Sequence, residues 1–197
     1  RVASRGAQLA VLPELWSSGY DYKRLARHAA ETSRVIKTLC RRTAELNLVV
    51  VGSLPEQSDD KIYNTAYVID RGNLVGSYRK LDMFSTMGED RFLSPGNKSL
   101  VVPTSVGRLG IAICYDLRFP VWSRQTKTPD STSPEFDLLI YVANWPDRRI
   151  HAWKTLLPAR AIENQCYVAG VNRIGDDGND IHHSGYSMVV DPLGDVL

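Results

Sequence analysis

Residues 110–118 read GIAICYDLR: four small or apolar residues run into Cys114, and Tyr115, Asp116, Leu117 and Arg118 follow at once. A short apolar run that stops at a thiol and turns polar reads as a buried strand delivering a nucleophile to its open end. The same stretch also fits a packed thiol, because free cysteines are among the most buried residues. Its own neighbours leave the two readings open.

Working outward, apolar runs at 9–13 (LAVLP), 47–54 (NLVVVGSL), 137–143 (DLLIYVA) and 166–172 (CYVAGVN) read as further buried strands. Residues 62–70 and 74–78 read as a hairpin around the Arg71-Gly72-Asn73 turn, and 100–103 pairs with 108–114 around the turn at 105–107. Residues 22–47 carry apolar positions at near-helical spacing, which predicts an amphipathic helix with Cys40 on its inner face. A second helix is predicted over 149–164, bent or broken at Pro158. The stretch 83–98 has no period and reads as a functional loop, 125–135 (QTKTPDSTSPE) as a mobile polar insertion, and 175–180 as a turn. Long helices between apolar strands indicate an α/β layered fold.

The bulk numbers narrow the function classes. At 197 residues the chain is read as one domain, 1–197, long enough to bury a full core. A net charge of +2, with no dense basic stripe, excludes nucleic acid as an electrostatic partner. No run approaches the ~18 apolar residues of a membrane span. Three cysteines, Cys40, Cys114 and Cys166, form neither a disulfide framework nor a ligand set, which places the chain in a reducing, cytoplasmic compartment. The opening RVASRG and the closing DVL read as cut from a longer sequence.

Position then supplies the chemistry. Glu14, Lys80 and Cys114 each fall within a residue or two of the carboxyl end of a predicted strand, where open α/β sheets place their ligands. A thiol near its ordinary pKa needs a base or a nearby cation. Glu14 is suited to accept the thiol proton, burial raising its proton affinity while Lys80 holds that rise in check. The Lys80 ammonium and the backbone N–H of Tyr115 would serve the oxyanion of a tetrahedral intermediate. Such an acyl-transfer site needs neither histidine, metal nor cofactor. Singly, Glu14 fits a turn cap and Lys80 a solvated edge pair with Arg79; jointly they fit one mechanism.

The blocks LPELWSSGY, GSYRKLDMF and GIAICYDLRFP resemble the Glu–Lys–Cys motifs of the nitrilase superfamily of carbon–nitrogen hydrolases, in the same order. Similarity extends over GSLPE at 52–56, YNTAYVID at 63–70, LSPGN at 93–97 and the run from Tyr141. The resemblance implies a four-layer α-β-β-α sandwich, a homodimer or higher homo-oligomer, and a second glutamate between Lys80 and Cys114, a role that falls to Glu89. CYDLRFPVWSR, YVANWP and ARAIENQ resemble the ω-amidase branch, which implies hydrolysis of 2-oxoglutaramate and related ω-amido acids to a dicarboxylate and ammonia. Against the family's pattern, a first strand and a C-terminal segment are absent, and the 125–135 insertion is long.

The distal carboxylate of such a substrate needs a cation, preferably forked. Arg118, Arg148 and Arg149 are candidates, although an internal brace to Asp116 or a glutamate suits Arg118 better. Trp145 and Tyr20 read as pocket walls or as packing. His151, His182 and His183 read as surface or interface residues. The rival readings are an N-carbamoyl amino acid or aliphatic amide hydrolase of the same superfamily, a papain-like enzyme with one of these histidines as base, and a non-catalytic scaffold.

Overall fold

The computed structural model describes residues 3–125 and 135–197. Two mixed sheets lie face to face with one long helix outside each. The first sheet runs β1 (Leu9–Val11), β2 (Val49–Ser58), β3 (Lys61–Asp70), β4 (Asn73–Arg79) in spatial order. The second contains β5 (Leu100–Thr104), β6 (Gly107–Ile113), β7 (Leu138–Ala143), β8 (Tyr167–Asn172) and β11 (Met188–Val190), in the order β11-β8-β7-β6-β5. Helix α1 (Leu25–Leu46) packs on β2 and β3, and α2 (Ile150–Asn164) on β8 and β11. The expected α-β-β-α layering is therefore the observed one.

Period-two patterning explains the layers. Val49 and Val51 of β2, and Ala66 and Val68 of β3, share a core with Leu109, Ile111 and Ile113 of β6. Val50, Tyr67 and Ile69, the alternates, are buried outside that core. Strands β6, β7 and β8 are parallel, so Cys114, Asn144 and Asn172 leave the second sheet at one edge. In the first sheet β1 is parallel to β2, and β4 returns to that direction after two antiparallel pairings, so Glu14 and Lys80 leave at one edge too.

Differences from the sequence reading are local. Helix α1 buries Leu25, Ala29, Thr32 and Thr43, whereas Cys40 is only half-buried. The two threonines go inside because their hydroxyls are satisfied there, Thr32 on the Pro55 carbonyl at 2.5 Å and Thr43 on that of Cys40 at 3.0 Å. Helix α2 is not broken at Pro158; Trp153, Leu157 and Ala161, all fully buried, hold it through the lost bond. The segment read as a turn at 175–180 belongs to a hairpin of β9 (Ile174–Asp176) and β10 (His182–Ser184). The insertion lies outside the described residues except at its ends, where the Gln125 side chain accepts from the Glu135 N–H at 2.7 Å and donates to the Asn164 carbonyl at 3.0 Å.

Gly96 in the 83–98 loop lies hard against the end of β4, donating its N–H to the Lys80 carbonyl at 2.7 Å. A Cβ there would clash with the Arg79 carbonyl oxygen. Gly96→Ala should therefore lower stability by about 1–3 kcal/mol, the usual cost of overpacking, and lower kcat with it. Chemical denaturation reads the first effect, and an unchanged midpoint would mean that the loop moves aside freely.

Candidate active site

Glu14 ends the run after β1 and is fully buried. The next residue, Leu15, has φ +43 and donates its N–H to the Ser53 hydroxyl at 2.7 Å, which turns the chain at the carboxylate. Glu14 Oε1 accepts from Lys80 Nζ at 2.9 Å and from Asn64 Nδ2 at 2.8 Å. Glu14 Oε2 accepts from the backbone N–H of Asn144 at 2.9 Å, whose side-chain amide returns to the Glu14 carbonyl at 3.0 Å. The donors come from three strands: Asn64 from within β3, Lys80 from the end of β4 and Asn144 from the end of β7. Burial pushes the Glu14 carboxyl up, but the Lys80 charge, the Lys80 and Asn144 hydrogen bonds and the nearby Tyr20 hydroxyl outweigh it and leave it below the ordinary carboxylate range. This corrects the expectation of a raised proton affinity: at rest Glu14 is ionised.

Lys80 follows β4 with its side chain fully buried. Its Nζ donates to Glu89 Oε1 at 2.7 Å and Oε2 at 2.9 Å as well as to Glu14. Burial pushes its pKa down, yet Glu14 and Glu89 reverse the shift and hold it well above the usual value. Three contacts match the three N–H groups of an ammonium. Glu89 also accepts the Phe84 N–H at 2.8 Å, so it fastens the loop that brings Phe84 and Met87 to the cavity.

Cys114 begins a turn of 3₁₀ helix, Cys114–Arg118, with φ +47. A non-glycine residue held in that region stores roughly 1–3 kcal/mol of strain, and here the kink turns the thiol out of β6 toward Glu14 and Lys80. Burial pushes the thiol up, Glu14 adds to this, and the Lys80 charge opposes it, with the net shift upward. The resting pair is thus a thiol beside a carboxylate. Tyr115 opens the turn, where leading N–H groups have no partner within the helix.

Asp116, buried beneath the turn, accepts from the Tyr78 hydroxyl at 2.7 Å, the Ile113 N–H at 2.8 Å and the Asp82 N–H at 2.9 Å. Burial pushes it up to about 7 against the Lys80 charge and these bonds. On the far side Asn172 accepts the Trp145 N–H at 2.7 Å and donates to the Trp145 carbonyl at 3.0 Å, fixing the bend after β7.

Cys114, Lys80 and Glu89 line a cavity of about 280 Å³, at the small end of ligand sites. Of the other residues proposed from sequence, Tyr20, Tyr115, Arg118, Trp145 and Arg149 line it, whereas the fully buried Glu14 lies behind the wall and Arg148 does not line it. Arg148 is exposed, carried outward by the 3₁₀ turn Asp147–Arg149 that precedes α2. Arg118 makes no brace to Asp116 or to a glutamate among the described residues; its guanidinium lies 5.2 Å from the Trp145 ring and 5.9 Å from that of Tyr115. Arg149 lies 4.6 Å over Phe84 and contacts Met87 Sδ at 3.3 Å. Burial, then Arg148, holds its pKa below the usual value, with Arg118 a further like charge. Trp145 does both tasks considered for it, lining the cavity while packing on Trp153 at 5.5 Å.

His183 corrects the surface reading. It is 1% exposed and lines the cavity from β10, while His151 and His182 are exposed as expected. Burial, then Arg173, lowers its pKa. Among the described residues no histidine hydrogen-bonds Cys114, so the papain-like arrangement is absent. Tyr22, Phe84, Met87 and Asn144 line the cavity without having been singled out. Only Asn144, directly after an apolar strand, carried a signal that could have marked it.

The sandwich brings a thiol, a carboxylate and an ammonium together, with no histidine bonded to the thiol among the described residues. The carbon–nitrogen hydrolase family model matches residues 1–197, and the chain belongs to that family. It is an enzyme that hydrolyses amides. An ω-amidase of Escherichia coli (strain K12) is 37% identical over 98% of this chain and 72% of its own length. A 2-oxoglutaramate amidase of Bacillus subtilis is 38% identical over 98% and 74%. The crystal structure of XC1258 from Xanthomonas campestris, a CN-hydrolase superfamily protein with an arsenic adduct in its active site, superposes with a TM-score of 0.90 at 35% identity, covering 99% of this chain and 75% of that one. No helix of the described residues is long and apolar enough to cross a membrane.

Proposed function

We propose that the chain hydrolyses the terminal carboxamide of a small ω-amido acid, of the 2-oxoglutaramate type, to a dicarboxylate and ammonia. One observation carries the substrate class. Arg118 and Arg149 line the same small cavity as Cys114, and among the described residues neither is paired with a carboxylate. Two like charges in one partly buried wall call for an anion, and forked guanidiniums suit a carboxylate. The Glu14–Lys80–Glu89 cluster, one ammonium against two carboxylates, carries excess negative charge. It repels that same group, so the substrate enters with its amide toward Cys114. The names of the relatives in Escherichia coli and Bacillus subtilis support the same class.

The geometry supports a two-step reaction. Cys114 Sγ bonds to the amide carbon as its proton passes to Glu14, and the carbonyl oxygen becomes an oxyanion facing Lys80 and the Tyr115 N–H. Because three carboxylate oxygens already occupy the ammonium, a direct bond to the oxyanion requires one of the two Glu89 contacts to yield. Glu14 then protonates the amide nitrogen, the C–N bond breaks, ammonia departs and a thioester remains. Water, losing a proton to Glu14, adds to the thioester; the C–S bond breaks and the sulfur takes that proton back. Glu89 acts by holding Lys80 and the loop that carries Phe84.

The test is charge-selective. Arg149→Met should raise KM for 2-oxoglutaramate or succinamate roughly 10- to 100-fold, the value of a charge-assisted contact. KM for an uncharged amide such as butanamide should stay within about threefold. Equal losses on charged and uncharged amides, or a preference for N-carbamoyl-β-alanine in the same panel, would overturn the assignment.

A further inference from the structure

Glu14 and Lys80 come from the first sheet and Cys114 from the second, so the reaction depends on how the two sheets are registered at this edge. Apolar contacts between sheets are non-directional and do not set that register to the tolerance chemistry needs. Among the described residues, and besides the Cys114–Glu14 contact itself, two polar ties cross the gap at the site. Asn144 holds Glu14, as described above. The other tie is Asp116, which belongs to the Cys114 turn and reaches back to the first sheet.

The three donors to Asp116 bracket the catalytic pair. Tyr78 lies two residues before Lys80, Asp82 two residues after it, and Ile113 immediately before Cys114. One carboxylate oxygen, Oδ2, takes both the Tyr78 hydroxyl and the Ile113 N–H; the other takes the Asp82 N–H. The carboxylate is 1% exposed, so water cannot stand in for a lost bond. The Ile113 bond also pins the residue that enters the φ +47 conformation at Cys114. A conformation of that kind persists only where the surroundings over-determine it.

We propose that Asp116 is a positioning residue for this hydrolysis, holding the end of β4 against the Cys114 turn and thereby setting the Lys80–Cys114 geometry. It touches neither substrate nor sulfur in this role. The inference rests on Cys114 and Lys80 carrying the reaction, so Cys114→Ala is run alongside. If that variant retains turnover, the underlying assignment has failed, and Asp116 is not what was tested.

Asp116→Asn keeps the shape but sets an N–H against a set of donors, so at least one of the three bonds is lost. The expected result is a kcat about 10- to 100-fold lower, in the range of a displacement of an ångström or less, with KM within about threefold. The second-order rate of Cys114 alkylation by iodoacetamide should change at least about fivefold, at unchanged stoichiometry, a readout of thiol geometry independent of turnover. A purely structural role would instead reduce the number of reactive sites while the remainder kept the wild-type rate and kcat; that outcome overturns the proposal, as does a kcat within twofold of wild type. If Asp116→Asn does not fold, Tyr78→Phe decides, since it removes one donor and leaves the carboxylate and both backbone bonds. A kcat about 3- to 10-fold lower with KM unchanged supports the tie, and wild-type kcat overturns it.

Discussion

Cys114→Ala should lower amide hydrolysis by roughly four orders of magnitude or more while the fold survives. The size follows from losing the nucleophile itself: what remains is binding and whatever the oxyanion donors add for an attacking water. The fold survives because the exchange removes one sulfur atom where the core meets the cavity wall, and Leu109, Ile111 and Ile113 of β6 keep their places in the core. Alanine inherits the φ +47 strain, so the melting temperature should move by only a few degrees. A slow substrate adds a second arm. Intact-mass analysis of the wild type should find the acyl group, substrate minus ammonia, on Cys114, and the variant should carry none. A variant that keeps activity within tenfold of wild type would mean that water attacks directly and the thioester does not lie on the path.

What could be read before the structure follows a physical division. Glu14, Lys80 and Cys114 were legible because strand periodicity locates strand ends, and a charged or thiol side chain directly after an apolar run stands out there. The layering was legible for the same reason, since Val49 to Val51 and Leu138 to Ala143 admit little but buried strand. Asn64 and Asp116 were not, because each is defined by partners far away in sequence: the Asn64–Glu14 bond spans 50 residues and the Tyr78–Asp116 bond 38. A polar residue that is buried because distant donors satisfy it looks like any other polar residue in the chain. His183 was misread on those grounds, and β10 offers no apolar run to betray a strand. The direction of the Glu14 shift was misjudged because it depends on how many donors reach the carboxylate, and only the assembled site supplies that number. Arg118 and Arg149 could be named but not separated from Arg148 until the turn before α2 fixed which guanidinium faces the cavity.

The same opposition of burial and charge sets the outcome at Lys80. Lys80→Met should abolish measurable turnover and lower stability at neutral pH by about 3–5 kcal/mol, the cost of leaving a buried charge without its partner. Methionine fills the space, but Glu14 and Glu89, both held by Lys80 in the wild type, are left buried with no cation between them. Without the Lys80 charge, burial raises the proton affinity of Glu14, and a protonated Glu14 cannot take the thiol's proton. The pH dependence gives the sign. In the wild type the folded pKa of Glu14 lies below its ordinary value. Its contribution to stability is therefore present above the unfolded value near 4.5 and lost as pH falls through the folded pKa. In the variant, with Lys80 gone, burial dominates and the folded pKa lies above the unfolded one. The penalty is then absent below about 4.5 and grows as pH rises toward the new value. Wild type and variant should converge in stability on going from pH 8 to pH 5, read as denaturation midpoints in urea. Glu89→Gln added to Lys80→Met should recover part of the loss at pH 8 without restoring turnover, because it removes one of the two opposed charges but returns no cation to the oxyanion. A gap between wild type and Lys80→Met that does not change with pH would mean that Lys80 contributes packing alone, and the charge cluster would not be what holds this end of the sandwich together.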